Sequence, residues 1–209
     1  MIDNSTFWEA SFVERQTMWG FEPAASALTT SELFLQHGVQ SVLIPGIGYG
    51  RNARPFRDSG MAVTGIEVSQ TAIDLAHQHF RSDLPIHHGS VADMPFDSAI
   101  YDGIFAYGLI HLLDTAERQA FIRACSAQLA PGGHMIFTAV TKRAPMYGTG
   151  QPIGPDRFET PKGVGIYFYD DASIHTEFDA FGLLDFTEII EPNHGRGINF
   201  WRIHCHKPE

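Results

Sequence analysis

The sequence predicts an α/β fold: a doubly wound sheet of seven strands, mostly parallel, with an antiparallel hairpin at its C-terminal edge and a helical cap at its N-terminal side. Three observations carry that prediction. An apolar run over residues 41–44 ends in Pro45-Gly46-Ile47-Gly48-Tyr49-Gly50, and a second apolar run over residues 61–66 closes on a single acid, Glu67. From Leu43 to Val140, strand-like runs then alternate with amphipathic helices, the pattern that builds a parallel sheet covered on both faces. Together they describe a strand, a tight turn, a helix and a second parallel strand wrapped around a nucleotide-like ligand.

The elements follow in order. Strands are expected near residues 41–44, 62–66, 86–88, 103–107 and 135–140. Ser69 is placed to cap a helix whose apolar residues Ala72, Ile73, Ala76 and Phe80 recur at spacings of three and four. Asp114 with Glu117 forms a capping box, Phe121, Ala124, Cys125 and Leu129 make the buried stripe behind it, and Pro131-Gly132-Gly133 stops that helix. Past Val140 the alternation breaks, and residues 141–170, rich in proline and glycine and carrying Met146, Tyr147 and Phe158, are expected to form a substrate lid. A helix near residues 172–181 leads to strand-like runs over 183–190 and 198–206. Their short connection suits an antiparallel hairpin, because a parallel crossover needs a dozen or more residues. Residues 1–40 read as a separate cap layer, with an aromatic cluster (Phe7, Trp8, Phe12, Trp19, Phe21) and a helix after Pro23.

Composition bounds the function. A chain of 209 residues with 44% hydrophobic and 18% charged residues suits one globular domain with a sizeable core. The 14 basic residues against 24 acids leave a formal charge of −10, which disfavours a polynucleotide partner. No stretch reaches the length of a membrane span and no basic leader is evident, so a cytoplasmic protein, a monomer or homodimer, is expected. The two cysteines, Cys125 and Cys205, lack metal-type spacing and read as buried thiols. His87 and His88 adjoin without a third ligand, and no metal is expected.

Glycine at 46, 48 and 50 lets the backbone turn sharply and approach a ligand closely, and an acid at the end of the next strand can accept both hydroxyl hydrogens of a ribose. The third glycine comes one residue too early for the dinucleotide fingerprint and no phosphate-binding lysine follows, which disfavours an NAD-dependent oxidoreductase. Further segments extend the pattern: Gly65-Ile66-Glu67-Val68-Ser69, Gly89-Ser90-Val91-Ala92-Asp93-Met94-Pro95-Phe96, Tyr101-Asp102-Gly103-Ile104-Phe105-Ala106-Tyr107, and Leu129-Ala130-Pro131-Gly132-Gly133.

In these segments and their order the chain resembles the class I S-adenosylmethionine-dependent methyltransferases, whose fold is Rossmann-like. That resemblance implies S-adenosylmethionine as cofactor and a small-molecule substrate. It implies cofactor contacts from Pro45, Gly46, Gly48, Gly50 and Asn52 around the first turn, from Glu67 and Val68 after the second strand, from Ser90 and Val91 at the adenine turn, and from Tyr107. Ser90 stands where the family usually carries aspartate, leaving Asp93 as a turn residue. Pro45 and the tryptophans Trp8 and Trp19 resemble the thiopurine, halide and thiol methyltransferase branch, in which an N-terminal segment folds over the cofactor.

Methyl transfer from a sulfonium is an in-line displacement, so the protein's task is alignment and exclusion of water. Soft acceptors such as thiols or halides need little help, whereas oxygen and nitrogen acceptors want a base. The base candidates are Tyr107 and His111, placed by the fold beyond the fourth strand. Arg143, Met146 and Tyr147 in the lid and His194 and Arg196 in the hairpin turn are further polar or apolar candidates at the mouth. A non-catalytic cofactor-binding module on the same fold is the alternative, with Ser90 marking a degraded site.

Overall fold

The structure, a computed structural model, describes residues 4–80, 83–193 and 196–209. Helices α1 (Asn4–Arg15) and α2 (Ala25–Gln36) precede strand β1 (Ser41–Pro45), the short helix α3 (Arg54–Asp58), strand β2 (Ala62–Glu67), helix α4 (Gln70–Phe80), and strands β3 (Ile86–His88) and β4 (Tyr101–Ala106). Helix α5 (Thr115–Gln128) leads to β5 (Leu129–Val140), three short strands β6 (Gln151–Gly154), β7 (Arg157–Glu159) and β8 (Gly165–Tyr167), helix α6 (Asp171–Phe178), and the hairpin strands β9 (Leu183–Asn193) and β10 (Arg196–His206).

The central sheet has seven strands in the order β3-β2-β1-β4-β5-β10-β9. The first five are parallel, and β10 lies antiparallel between β5 and β9. This is the expected doubly wound architecture with its antiparallel edge. Alternation along the strands sends side chains to opposite faces. Val42, Ile44, Phe105 and Ile136 pack with Phe34 of α2 and Phe56 of α3, while Leu43, Ile104, Met135 and Phe137 pack with Phe121 of α5 and Phe178 of α6.

Local signals act as read. The Ser69 hydroxyl accepts from the Ala72 amide at 3.1 Å, and Asp114 and Glu117 form the reciprocal capping box. Asp102 pins the start of β1 against β4: one carboxylate oxygen accepts from the amides of Gln40 and Ser41 and from the Ser41 hydroxyl. Two boundaries differ. Helix α5 ends at Gln128, and Pro131-Gly132-Gly133 lies within the extended segment β5, where a side chain on Gly133 would stand 2.8 Å from the Ala130 carbonyl oxygen. The 141–170 segment carries a three-stranded sheet of its own, β6-β7-β8, which its proline and glycine content concealed. Lys142 fastens that excursion through Asp156 at 2.7 Å and Asp170 at 2.6 Å. Burial keeps both cysteine thiols protonated and raises the Cys205 pKa to about 12. Among the described residues no helix is long and apolar enough to cross a membrane, and no cluster of three or more metal-type ligands occurs.

Candidate active site

The site lies at the carboxyl end of the parallel strands. Beyond β1 the chain turns back over β2, with the amides of Gly46 and Ile47 both donating to the Ile66 carbonyl at 2.8 and 3.1 Å. Gly46 and Gly48 adopt φ of +67° and +57°, a left-handed geometry that glycine reaches without steric cost. A side chain on Gly46 would stand 3.1 Å from Leu109, across the mouth of the turn.

Glu67 ends β2 inside this turn and is only 5% exposed. One carboxylate oxygen accepts from the Gly48 amide at 2.8 Å, and the other accepts from the amides of Val68 and Ser69 at 2.9 and 3.0 Å. Burial pushes its pKa up, and the three amide donors pull it back by favouring the charged form. The oxygen that accepts from Gly48 keeps lone-pair capacity for a ligand.

A cleft of about 270 Å³ opens beside it, lined by Trp8, Gly46, Glu67, Val68, Ser90, Val91, Leu109 and Leu112, and bounded on the excursion side by Arg157, Gly163 and Gly165. The Ser90 hydroxyl oxygen accepts from the Ala92 amide at 3.2 Å and so shapes the turn after β3. Beyond Trp8 and Leu112, and through a narrow space beside Trp19, Tyr107 and Gly108, lies a second pocket of about 270 Å³. Its lining includes Arg51, Tyr107, His111, Glu191, Ile198 and Phe200.

Two sets of contacts tie the cap down beside the cleft. Tyr49, buried in the glycine turn, stacks on Trp19 with centroids 6.0 Å apart, accepts from the Trp19 amide and donates to the Gly20 carbonyl at 2.7 Å. Glu9, next to Trp8 on α1, takes the Ser69 hydroxyl at 2.6 Å and the Thr71 hydroxyl at the start of α4. The turn that shapes the cleft therefore also seats the tryptophans over it.

Residues 43–137 match the family model described as "Methyltransferase domain". Those residues, just under half of the chain, are thus similar to a methyltransferase domain. The chain is 31% identical over 106 residues to a ubiquinone biosynthesis O-methyltransferase of Methylocella silvestris, covering 49% of this chain and 40% of the relative. It is 28% identical over 120 residues to a probable S-adenosylmethionine-dependent methyltransferase of Mycolicibacterium smegmatis, covering 56% of this chain and 44% of the relative. The matches thus span less than half the length of these curated relatives. Among solved structures, the 1,6-didemethyltoxoflavin-N1-methyltransferase of Burkholderia thailandensis superposes with a TM-score of 0.75 at 17% identity, over 98% of this chain and 87% of that one. The magnesium protoporphyrin IX methyltransferase of Synechocystis PCC 6803 gives 0.70 at 13% identity, over 99% and 98%. At such identities the likeness is one of fold.

The cleft fits S-adenosylmethionine. A buried carboxylate with acceptor capacity to spare suits a ribose hydroxyl, a glycine turn suits close approach of the chain beyond it, and the apolar lining by Val68, Val91 and Leu113 suits a flat base.

Of the residues singled out by sequence, Trp8, Trp19, Gly46, Gly48, Glu67, Val68, Ser90, Val91 and Tyr107 stand around this cleft or its continuation. Three stand apart from the described linings. Gly50 takes φ of +87°, which its backbone turn requires, and its Cα faces Ala76 and Phe80 of α4. Asn52 is buried and holds the cap through the Ala24 amide at 2.9 Å, and Pro45 is buried at the end of β1. Tyr107 and His111 do reach the second pocket, but neither is tuned as a base. Burial, then the Glu191 charge, raises the Tyr107 pKa to about 12, and burial lowers that of His111 to about 3. His111 also leaves its buried Nδ1 without a partner. Arg143 pairs with Glu188 on the exposed hairpin, Tyr147 donates to Asp156, and Met146 packs on the cluster of Val140, Ala144 and Phe168. His87 pairs with Asp97 and His88 with the Val68 carbonyl. His194 and the side chain of Arg196 lie outside the described residues.

Sequence reasoning missed Arg51, Leu109, Leu112, Arg157, Glu191 and Phe200 as lining residues. Leu109 and Leu112 carried a signal, since they flank His111 at a spacing of three directly after the fourth strand. Glu191 and Phe200 carried none, because only the hairpin's return beside β5 brings them to the pocket.

Proposed function

We propose that this protein transfers a methyl group to a small-molecule acceptor whose reacting atom is already nucleophilic when it binds, such as a thiol in its thiolate form or another soft donor. The observation that carries the reading is the continuity of the cofactor cleft with an aromatic-walled pocket through Trp8 and Leu112. S-adenosylmethionine, when bound, supplies a methyl group activated on a sulfonium. Glu67, with Gly46 and Gly48, would hold its ribose and the adjoining chain, and Ser90 and Val91 its base. Trp8 and Trp19 exclude water from the junction, which favours a displacement that needs alignment more than proton transfer.

The absence of a tuned base among Tyr107 and His111 supports a soft or pre-ionised acceptor, since efficient bases work near neutral pKa values. The tryptophans at the cleft favour the thiopurine, halide and thiol methyltransferase branch. Isothermal titration with S-adenosylhomocysteine, followed by methyl transfer from labelled cofactor to a panel of thiols, phenols and amines, tests the reading. Micromolar binding and transfer to thiols are expected. Failure to bind S-adenosylhomocysteine, or transfer confined to amines, overturns it.

A further inference from the structure

The second pocket has walls of a defined kind. Tyr107 and Phe200 lie near-parallel, with centroids 6.1 Å apart and planes 20° from one another, and Trp8 and Trp19 face the same space. Rings disposed in this way favour a flat aromatic ligand over an extended aliphatic one.

The polar groups then decide its charge. Arg51 lies with its guanidinium 5.7 Å from the Tyr107 ring centroid and donates to the Glu22 carbonyl at 2.8 Å. The Tyr107 hydroxyl lines the same space and can turn its hydrogen toward a ligand. His111 is buried, with Nδ1 shut away from any partner. A stranded lone pair is tolerated better than a stranded N–H, so the ring carries its hydrogen on Nε2 and is a third donor rather than an acceptor.

Glu191, the pocket's carboxylate, is otherwise engaged. It is 2% exposed, and its two oxygens accept from the Ser26 and Ala25 amides at 2.9 and 3.2 Å, in the first turn of α2. The positive end of a helix meets a carboxylate placed there. The pocket therefore offers a cation and neutral donors while its one acid is turned to the cap.

Resting on the methyl-transfer reading above, we propose that this pocket selects planar aromatic anions, and that Arg51 is the residue that reads their charge. The ionised group is either the reacting atom or a neighbouring substituent on the same ring system; the selection concerns the charge. Binding an already ionised acceptor also removes the need for a protein base.

The test uses S-adenosylhomocysteine-loaded protein and three probes of matched shape: 2-naphthoate, 2-naphthamide and 2-naphthylmethylamine, followed by calorimetry and by quenching of tryptophan fluorescence. The naphthoate is expected to bind at least about tenfold more tightly than either other probe, the advantage of a charge-assisted hydrogen bond over a neutral one. In Arg51→Met that preference is expected to vanish with S-adenosylhomocysteine still bound, and Arg51→Lys is expected to keep part of it. The proposal is overturned if the amide or amine binds as tightly as the acid, if no probe binds the loaded protein, or if the preference survives Arg51→Met. Should Arg51→Met not fold, the wild-type ranking and Arg51→Lys decide the matter. Loss of S-adenosylhomocysteine binding by the wild-type protein is a different failure, that of the methyl-transfer reading.

Discussion

The two ends of the central sheet are built to opposite rules. At the end where the parallel strands begin, polar groups find partners: Asp102 takes three donors from Gln40 and Ser41, Lys207 reaches the carbonyls of Ser126 and Leu129 at 2.9 and 2.7 Å, and His134, His204 and Asp185 form a hydrogen-bonded chain at 3.0 and 3.1 Å. At the end where those strands finish, left-handed glycines, a buried Glu67 with acceptor capacity to spare and the Tyr107 hydroxyl surround open space. The first end spends its polar groups on holding strands in register. The second leaves bonding capacity for a ligand, and incomplete satisfaction of this kind is what a binding end requires.

The sharpest break of this contrast is Glu67→Ala. It removes the proposed ribose acceptor and strands the amides of Gly48, Val68 and Ser69, so S-adenosylhomocysteine affinity measured by calorimetry is expected to fall about 10–100-fold, the loss of one to two charge-assisted hydrogen bonds. Two strand glycines separate stability from binding. A methyl group on Gly103 would stand 2.6 Å from the Phe34 ring, and one on Gly65 would stand 2.7 Å from Ile47 of the cofactor turn. Each alanine variant is expected to lose about 1–3 kcal/mol in denaturant unfolding. Gly65→Ala, through Ile47, is expected also to weaken S-adenosylhomocysteine binding, while Gly103→Ala leaves it intact.

Glu191→Ala unlatches the hairpin from the first turn of α2 and is expected to cost about 1–2 kcal/mol, the worth of a helix cap, with the N-terminal segment becoming the earliest site of proteolysis. The smallest effect concerns pH. Burial, and then the neighbouring His37, His204 and His206, lower the His134 pKa to about 4 from an ordinary 6.5. The unfolded chain therefore binds a proton between pH 6.5 and 4 that the folded state refuses, so stability is complete above pH 6.5 and declines as the pH falls toward 4. His134→Gln is expected to flatten that decline in the melting temperature between these values. An unchanged slope would remove His134 from the account.

The candidate site was legible where function is written into consecutive residues. Gly46, Gly48, Glu67, Ser90 and Val91 follow strand ends, and a parallel sheet delivers strand ends to one edge. Gly50 was misleading for the same reason: its spacing is that of the turn, yet its bare Cα faces Ala76 and Phe80. The 141–170 segment was legible as an excursion and not as a sheet. Strands of three and four residues are too short for their alternation to stand out from the surrounding proline and glycine.

The sequence by itself determined the order of strands and helices, the caps at Ser69 and Asp114, the glycine turn and the acid that follows it, because each is a local preference of backbone or side chain over a few residues. Only the tertiary structure decided the second pocket. Arg51, Tyr107, His111, Glu191 and Phe200 come from separate elements, and it is the folding of α2 and the hairpin against the sheet that sets a cation in the pocket and turns its carboxylate away. Charge, burial and hydrogen-bond supply at a site are sums over neighbours distant in sequence, and no local pattern encodes such a sum.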